Sequence, residues 1–390
     1  MDTGRNWLRQ RGTEEDDKVG FIELFYDLIF VFSIVQLSHT MAHHYSVLGM
    51  AEAAVMILAV WWVWIYTAWA TNWLNPDCMP VRLMLFVLMF LGLVLSTSIP
   101  EAFAGRGALF AGAYVAMQFG RTLFLIVAMR GETGARPATF KRMACWFALS
   151  AVLWIAGAFA HHEERLVLWA GGIAIDFLAP AWGYWVPGLG RSSDRDWDVS
   201  GAHMAERCAL FIIICLGETI LVMGRTFSEG APGVGAFAAF GLAFLAAAAM
   251  WWIYFRFGHH RAAKLIEETD NPGGVARWAY TYAHIPIVAG IILSAVGLEF
   301  LLAHPSDPAS PGTAGALIGG PLVYLAGNLI FKGLISRRPP LSHLVGLALL
   351  AGLAGLAVMA TPLTIMQLAA AVVAVLVFVA VWEWASLAEA

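Results

Sequence analysis

Charge is scarce in this sequence: 23 Lys and Arg and 27 Asp and Glu among 390 residues make 13%, against roughly 25% in soluble domains. With 60% of residues hydrophobic and a mean hydropathy of +0.72, a water-soluble fold would have too little polar surface to hide the apolar remainder. The net charge of −4 sits in short clusters between apolar runs, which implies neither nucleic acid nor a polyanionic surface as partner. Cysteine is sparse too. Cys78, Cys145, Cys208 and Cys215 lack CxxC spacing, so neither a disulfide framework nor a zinc site is indicated. Without a P-loop or a GxGxxG fingerprint, the chain has no phosphate cradle for ATP-driven pumping of its own, and no cofactor is implied. DDxxD spacing, which an enzyme acting on isoprenoid pyrophosphates needs to hold magnesium, is also missing.

What the sequence has in abundance is apolar runs. A bilayer core of about 30 Å takes about 20 residues of helix, and about twelve runs of that length recur along the chain. They fall near 21–41, 50–72, 81–100, 108–128, 140–160, 166–187, 205–224, 234–256, 277–302, 314–334, 341–360 and 363–384. Turn chemistry separates them, as at Asn75-Pro76-Asp77, Gly188-Leu189-Gly190 and Asn271-Pro272-Gly273-Gly274. The reading is an all-α polytopic integral membrane protein, with residues 1–20 as a cytoplasmic tail. Glu23 and Asp27 in the first run distinguish it from the uncharged core of a signal peptide.

Basic residues in short loops stay on the cytoplasmic side. With twelve spans, Arg5, Arg9, Arg11, Lys18, Arg82, Arg130, Arg136, Lys141, Arg142, Arg191, Arg195, Arg207, Arg256, Arg261, Lys264, Arg277, Lys332, Arg337 and Arg338 fall on the side of the N-terminus. Only Arg106, Arg165 and Arg225 fall opposite, which predicts both termini inside.

The halves match in order. Glu23 opens the first span and Glu206 the seventh; Trp61-Trp62-Val63-Trp64-Ile65-Tyr66 answers Trp251-Trp252-Ile253-Tyr254; Glu101 stands opposite Glu299, and Gly120-Arg121 opposite Gly327-Asn328. This predicts two parallel six-helix repeats, 21–187 and 188–390, related by an axis along the membrane normal, an architecture that commonly places a binding site between the halves.

Carboxylates inside a bilayer cost about 2.5–3.5 kcal/mol each, so they need a reason to be there. At 1.5 Å per residue, Asp27 lies about 13 Å from Lys18, Glu218 about 17 Å from Arg207 and Asp176 about 17 Å from Arg165, all near one midplane. Glu23 sits one turn before Asp27, a pair that repels unless a proton, a cation or an Arg intervenes. Arg121 is the expected ion-pair partner at depth, and Glu101 and Glu299 lie near the outer interface. The plain alternative is structural: interhelical hydrogen bonds and ion pairs that fix the bundle. Pro286, two residues after His284, and Pro180, four after Asp176, each predict a distorted helix. His43-His44, His161-His162 and His259-His260 read as solvated loop histidines; His39 and His43 share a helix face, yet nothing nearby completes a metal set, and any metal is unknown. The Trp-rich pieces read as interfacial anchors and packing.

Three segments carry a family resemblance: ELFYDLIFVFSIVQLSH at 23–39, HMAERCALFIIICLGETILVMG at 203–224 and YAHIPIVAGIILSAVGLE at 282–299. Together they resemble the bacterial low-temperature-requirement A proteins nearly end to end. The matching positions are Glu23, Asp27 and His39; His203, Glu206, Arg207, Gly217 and Glu218; and His284, Pro286 and Glu299. Tyr26 stands where a second Phe is common and Cys208 where an aromatic is common. The resemblance implies a multi-pass protein of the bacterial plasma (inner) membrane, linked to growth at low temperature and so to stress response.

The expected function is transport of a solute or ion, proton-coupled in one form of it. Its pathway comprises Glu23, Asp27, Asp176, Glu218, Arg121, His284, Glu101 and Glu299, with a polar cluster of His203, Glu206 and Arg207 at the cytoplasmic face. A membrane-embedded enzyme acting on a lipid or isoprenoid, and a cation channel, are the alternatives. The expected partners are the lipid bilayer and a small solute, proton or cation; a homo-oligomer is compatible with all three readings.

Overall fold

A computed structural model of the chain describes residues 7–9, 18–193, 197–230, 233–256, 265–266, 268–336, 338–359 and 363–388. Arg5, Arg11, Arg195, Arg261, Lys264 and Arg337 of the basic set, and the His259-His260 pair, lie outside the described residues.

The described residues form long helices joined by short turns. In order they are α1 (Phe21–His43), α2 (Val47–Trp73), α3 (Met79–Ser98, continued by a 3₁₀ turn Ile99–Glu101), α4 (Gly107–Ala128), α5 (Arg136–Phe159) and α6 (His162–Ala181). There follow α7 (Gly201–Glu229), α8 (Val234–Phe255), α9 (Pro272–Ala303), α10 (Pro311–Ser336), α11 (Leu341–Met359) and α12 (Ile365–Ala388). Among the described residues, eleven of these helices are long and apolar enough to cross a membrane. The exception is α6. Its 20 residues are sufficient in length, but Glu163, Glu164 and Arg165 crowd its start and Asp176 its second half. Exposed Leu83, Phe86, Phe90, Val152, Leu178, Ile220 and Phe244 make the outer faces of these helices apolar, as a chain bathed in lipid requires. This is a multi-pass membrane protein.

The chain divides into two compact units: Met1–Leu37, Ala51–Arg207 and Ala263–Arg277 form unit 1, and Ser38–Met50, Cys208–Ala262 and Trp278–Ala390 form unit 2.

In unit 1, α2 is apolar all round and correspondingly buried. Trp61, Trp62, Trp64, Trp69 and Trp73 all lie in the core; Trp62 stacks on Phe177 at 4.0 Å, and Trp69 meets Trp197 edge to face at 5.4 Å. These tryptophans pack rather than anchor, which corrects the interfacial half of the expectation for α2. On α8, in unit 2, Trp251 and Trp252 are exposed and fit the anchoring role. The expected sixth span ran to residue 187, but α6 ends at Ala181. Pro180 therefore closes α6 instead of kinking its middle. The chain then turns through Gly183 at φ +61° and Tyr184 at φ +50°, and the Tyr184 hydroxyl meets that of Tyr66. Trp7, Leu8 and Arg9 lie antiparallel to the end of α2, with Arg9 N–H donating to Trp73 O (2.8 Å) and Asn75 N–H to Trp7 O (2.7 Å).

In unit 2, α9 and α10 approach until backbones touch. A Cβ added at Gly290 would strike the backbone of Tyr324; one at Gly320 would meet Ser294 N at 2.5 Å, and one at Gly327 would meet Ile287 N at 2.7 Å. Gly290 with Gly297, and Gly320 with Gly327, recur at seven-residue spacing, so each helix offers a stripe of small residues, the usual means of close helix packing in lipid. The distortion expected from Pro286 falls upstream of it. Arg277–Tyr282 is a π-helical stretch, and regular helix resumes at His284–Ala303. Pro286 has no N–H to give the carbonyl of Tyr282, four residues back, so the strain is absorbed before the regular helix begins.

Candidate functional site

The polar centre of unit 1 assembles on Glu23 and Asp27, successive turns of one face of α1. The guanidinium of Arg207 on α7 lies between them. Its Nη2 donates to Asp27 Oδ1 at 2.7 Å and its Nη1 stands 3.4 Å from Glu23 Oε1, so the expected carboxylate repulsion is relieved by an arginine. Trp64 Nε1 donates to the same Asp27 oxygen at 2.7 Å, while the Arg207 guanidinium lies over the Trp64 ring at 5.7 Å. All of these side chains are buried.

Glu23 is saturated. It accepts from Arg9 Nη2 (2.8 Å), from the Gly20 backbone N–H (2.9 Å) and from His203 (2.9 Å). The histidine tautomer follows from its other neighbour. Ser200 N–H donates to Asn72 Oδ1, which fixes that amide; Asn72 Nδ2 then donates to Ser200 O and faces His203 Nδ1 at 3.2 Å. Nδ1 is therefore the acceptor, and Nε2 carries the hydrogen that goes to Glu23 Oε1, while Arg9 Nη2, 3.2 Å from Nε2, spends its hydrogen on Glu23 Oε2. Asp27 is not saturated: Oδ2 is buried without a hydrogen-bond partner, as are Arg207 Nε and Nη1. In lipid or protein interior, such atoms are costly and ask for a reason.

The other expected residues fall elsewhere. Arg121 is buried, but it is not the partner of Asp27. Its bonds go to Val63 O (3.1 Å), Thr67 Oγ1 (3.1 Å) and the Gln118 side-chain oxygen, and its guanidinium lies 5.4 Å from the Tyr66 ring centre. The depth count placed Arg207 at an interface and so passed it over for that part. Asp176 accepts from Tyr114 Oη at 2.7 Å, with Ser150 and Trp154 beside it. Glu206 is exposed and accepts the Val19 N–H at 3.2 Å, apart from the His203 and Arg207 side chains that turn inward. Glu101 is exposed and lies 3.6 Å from Arg106.

In unit 2, Glu218 is buried on α7; Ser38 donates to its Oε1, and its Oε2 has no partner. His284 faces Ala279 O through Nδ1 and the Tyr254 hydroxyl through Nε2, both at 2.8 Å. A carbonyl only accepts, so Nδ1–H donates to it and Nε2 accepts from Tyr254: the histidine satisfies the π-helical stretch. Glu299 lies 3.5 Å from Arg225.

Sequence reasoning missed two features. Arg9, assigned to a tail, is held by Thr71 O at 2.8 Å and delivered to Glu23. Lys332 is buried on α10 and donates to Glu383 Oε1 of α12 (2.5 Å) and Ile253 O of α8 (2.6 Å). The available signal for Glu383 was its isolation: it is the only Asp, Glu, Lys or Arg between Ile365 and Leu387.

The family model described as bacterial low temperature requirement A protein (LtrA) matches residues 18–379, which takes in Glu23, Asp27, Arg207, Glu218 and Glu299. The chain belongs to the LtrA family. It is also similar to the Rhizobium meliloti protein named Uncharacterized protein RA0937, with 43% identity over 387 residues, covering 98% of this chain and 92% of that protein. No solved structure matches this LtrA-family chain.

Proposed function

We propose that this LtrA-family protein is a transporter of the bacterial inner membrane that couples movement of a small solute or ion to a proton or cation carried on Asp27 and Glu218. The observation that carries the reading is the state of these two carboxylates. Each is buried within a spanning helix, each has one oxygen held by a donor, and each has the other oxygen free of any hydrogen-bond partner. Glu23 saturates its polar atoms, whereas a group that takes up and releases a proton or cation keeps an oxygen open; Asp176 and Glu383 keep one open as well, and Asp27 and Glu218 differ from them in standing in the segments that carry the family resemblance. The basic-residue bias supports both termini inside, and the ordered sequence matches support two parallel six-helix repeats. The enzyme alternative is weakened by the same geometry, because both Glu23 oxygens already accept hydrogen bonds, three in all, with the Arg207 guanidinium 3.4 Å away, which leaves none for a metal-bound pyrophosphate.

The test uses purified protein in liposomes loaded with a pH-sensitive dye, challenged with sodium, potassium and an amino-acid panel. Asp27→Asn and Glu218→Gln preserve shape and hydrogen bonding while removing the ionisable group. The expected result is normal insertion and melting with loss of the ligand- or pH-driven signal. A fully active neutral pair, or variants that simply fail to fold, would overturn the reading in favour of structural carboxylates.

A further inference from the structure

Three helices of unit 2 bring ionisable groups to one end of that unit. Along α7, Glu218 and Arg225 are seven residues apart, which is two turns on one face and about 10.5 Å of rise. Glu299 of α9 reaches Arg225 at 3.5 Å, and Arg225 and Glu299 both lie within electrostatic range of Glu218. On α1, Ser38 donates to Glu218, and the next residue, His39, lies within range of His43, Arg225 and Glu299; the two imidazole rings are 4.1 Å apart. Cys215, one turn before Glu218, is a further titratable neighbour among the described residues, and Tyr45 packs edge-on against Phe300 at 5.8 Å beside Glu299. Access is graded along this series: Glu218 is 3% exposed, the Glu299 side chain 20% and the Arg225 side chain 42%, and His43 is exposed.

We propose that this end of unit 2 is a proton-entry mouth for Glu218, with Glu299 as the relay, Arg225 as the cation that holds Glu299 in place between transfers, and His39 and His43 at the water side. The proposal rests on the transport reading of Glu218 and names the ion it takes. A proton from water adds to the Glu299 carboxylate, breaking its pair with Arg225. It then passes through intervening water to the unbonded Oε2 of Glu218, and the Glu299 carboxylate, again anionic, re-forms the pair. Nothing is oxidised or reduced, and each step moves one proton between two oxygens. A half-exposed Arg–Glu pair of this length adds little stability by itself, so a merely structural pair would leave both melting and transport indifferent to its removal.

The measurement is the rate of dye response after an external pH jump on reconstituted protein. Glu299→Gln should melt like the parent yet slow uptake by about 100-fold, the low end of what a positioned proton-transfer group contributes. Glu299→Asp should restore most of the rate. Arg225→Gln, an independent variant, should also slow turnover, because Glu299 then loses the contact that holds it beside α7. If Glu299→Gln or Arg225→Gln runs at the parental rate while Glu218→Gln is silent, the mouth lies elsewhere and the transport reading stands. If Glu218→Gln also runs at the parental rate, the transport reading of Glu218 falls with it.

Discussion

Arg207 Nη2 donates to Asp27 Oδ1 at 2.7 Å across 180 positions of sequence, and both side chains are fully enclosed. Two helices remote in the chain are thereby tied at the turn where α1 carries its paired carboxylates. The same guanidinium stands 3.4 Å from Glu23, and Arg9 supplies the second positive charge, so two acids are matched by two bases.

Arg207→Gln should therefore lower stability by about 3–5 kcal/mol, because it leaves Asp27 buried without its cation. Adding Asp27→Asn should recover part of the loss, with a coupling of about 0.5–3 kcal/mol between the two sites. Thermal melting of the four proteins in detergent measures it. Additive losses would mean that the pair contributes nothing as a pair.

The glycine stripes of unit 2 give a prediction that depends on packing alone. Gly290→Ala and Gly327→Ala place a methyl group against the backbone of Tyr324 and Ile287, which cannot move aside as a flexible side chain can. Both should reduce folded yield and melting temperature. Gly217→Ala, where an added Cβ meets nothing within 4 Å, should be neutral or stabilising by about 0.5–1 kcal/mol. Equal behaviour of the three would refute the close α9–α10 contact.

Helix number and position were legible in the sequence because apolar length is a local property. The expected start and end of α8, 234–256, differ from Val234–Phe255 by a single residue. Partner choice was not. Depth counting from basic residues assumes that they mark the interface, and that assumption hid Arg207 and Lys332, whose charges are buried against acids brought from distant helices. Arg121 was visible as a deep cation, yet its backbone and hydroxyl acceptors on α2 could not be read from spacing. Arg9 was hidden for another reason: no periodicity marks a three-residue strap that runs across the end of a helix.

Topology is tested by labelling. Since nearly all Lys and Arg fall on one side when twelve spans are counted, an impermeant thiol reagent applied to intact cells should miss cysteines placed in either tail and reach Pro308→Cys, an exposed position between α9 and α10. External labelling of a tail would remove both the orientation and the parallel repeat.

The role of Lys332 follows from where its acceptors stand. Ile253 lies in the last described turn of α8, and the Lys332 ammonium donates to its carbonyl at 2.6 Å. The same ammonium holds Glu383 at 2.5 Å, so α8, α10 and α12 are pinned through a single nitrogen. Lys332→Met strips both acceptors and leaves Glu383 buried and unpaired, at a cost of about 3–5 kcal/mol. Glu383→Gln keeps an acceptor for the ammonium and should cost less. The double variant Lys332→Met with Glu383→Gln should recover most of the single Lys332→Met loss but not all, because the Ile253 carbonyl has still lost the ammonium. Full recovery in thermal melting would show that the carbonyl contact is incidental, and no recovery would show that the carbonyl, and not the ion pair, is what Lys332 serves.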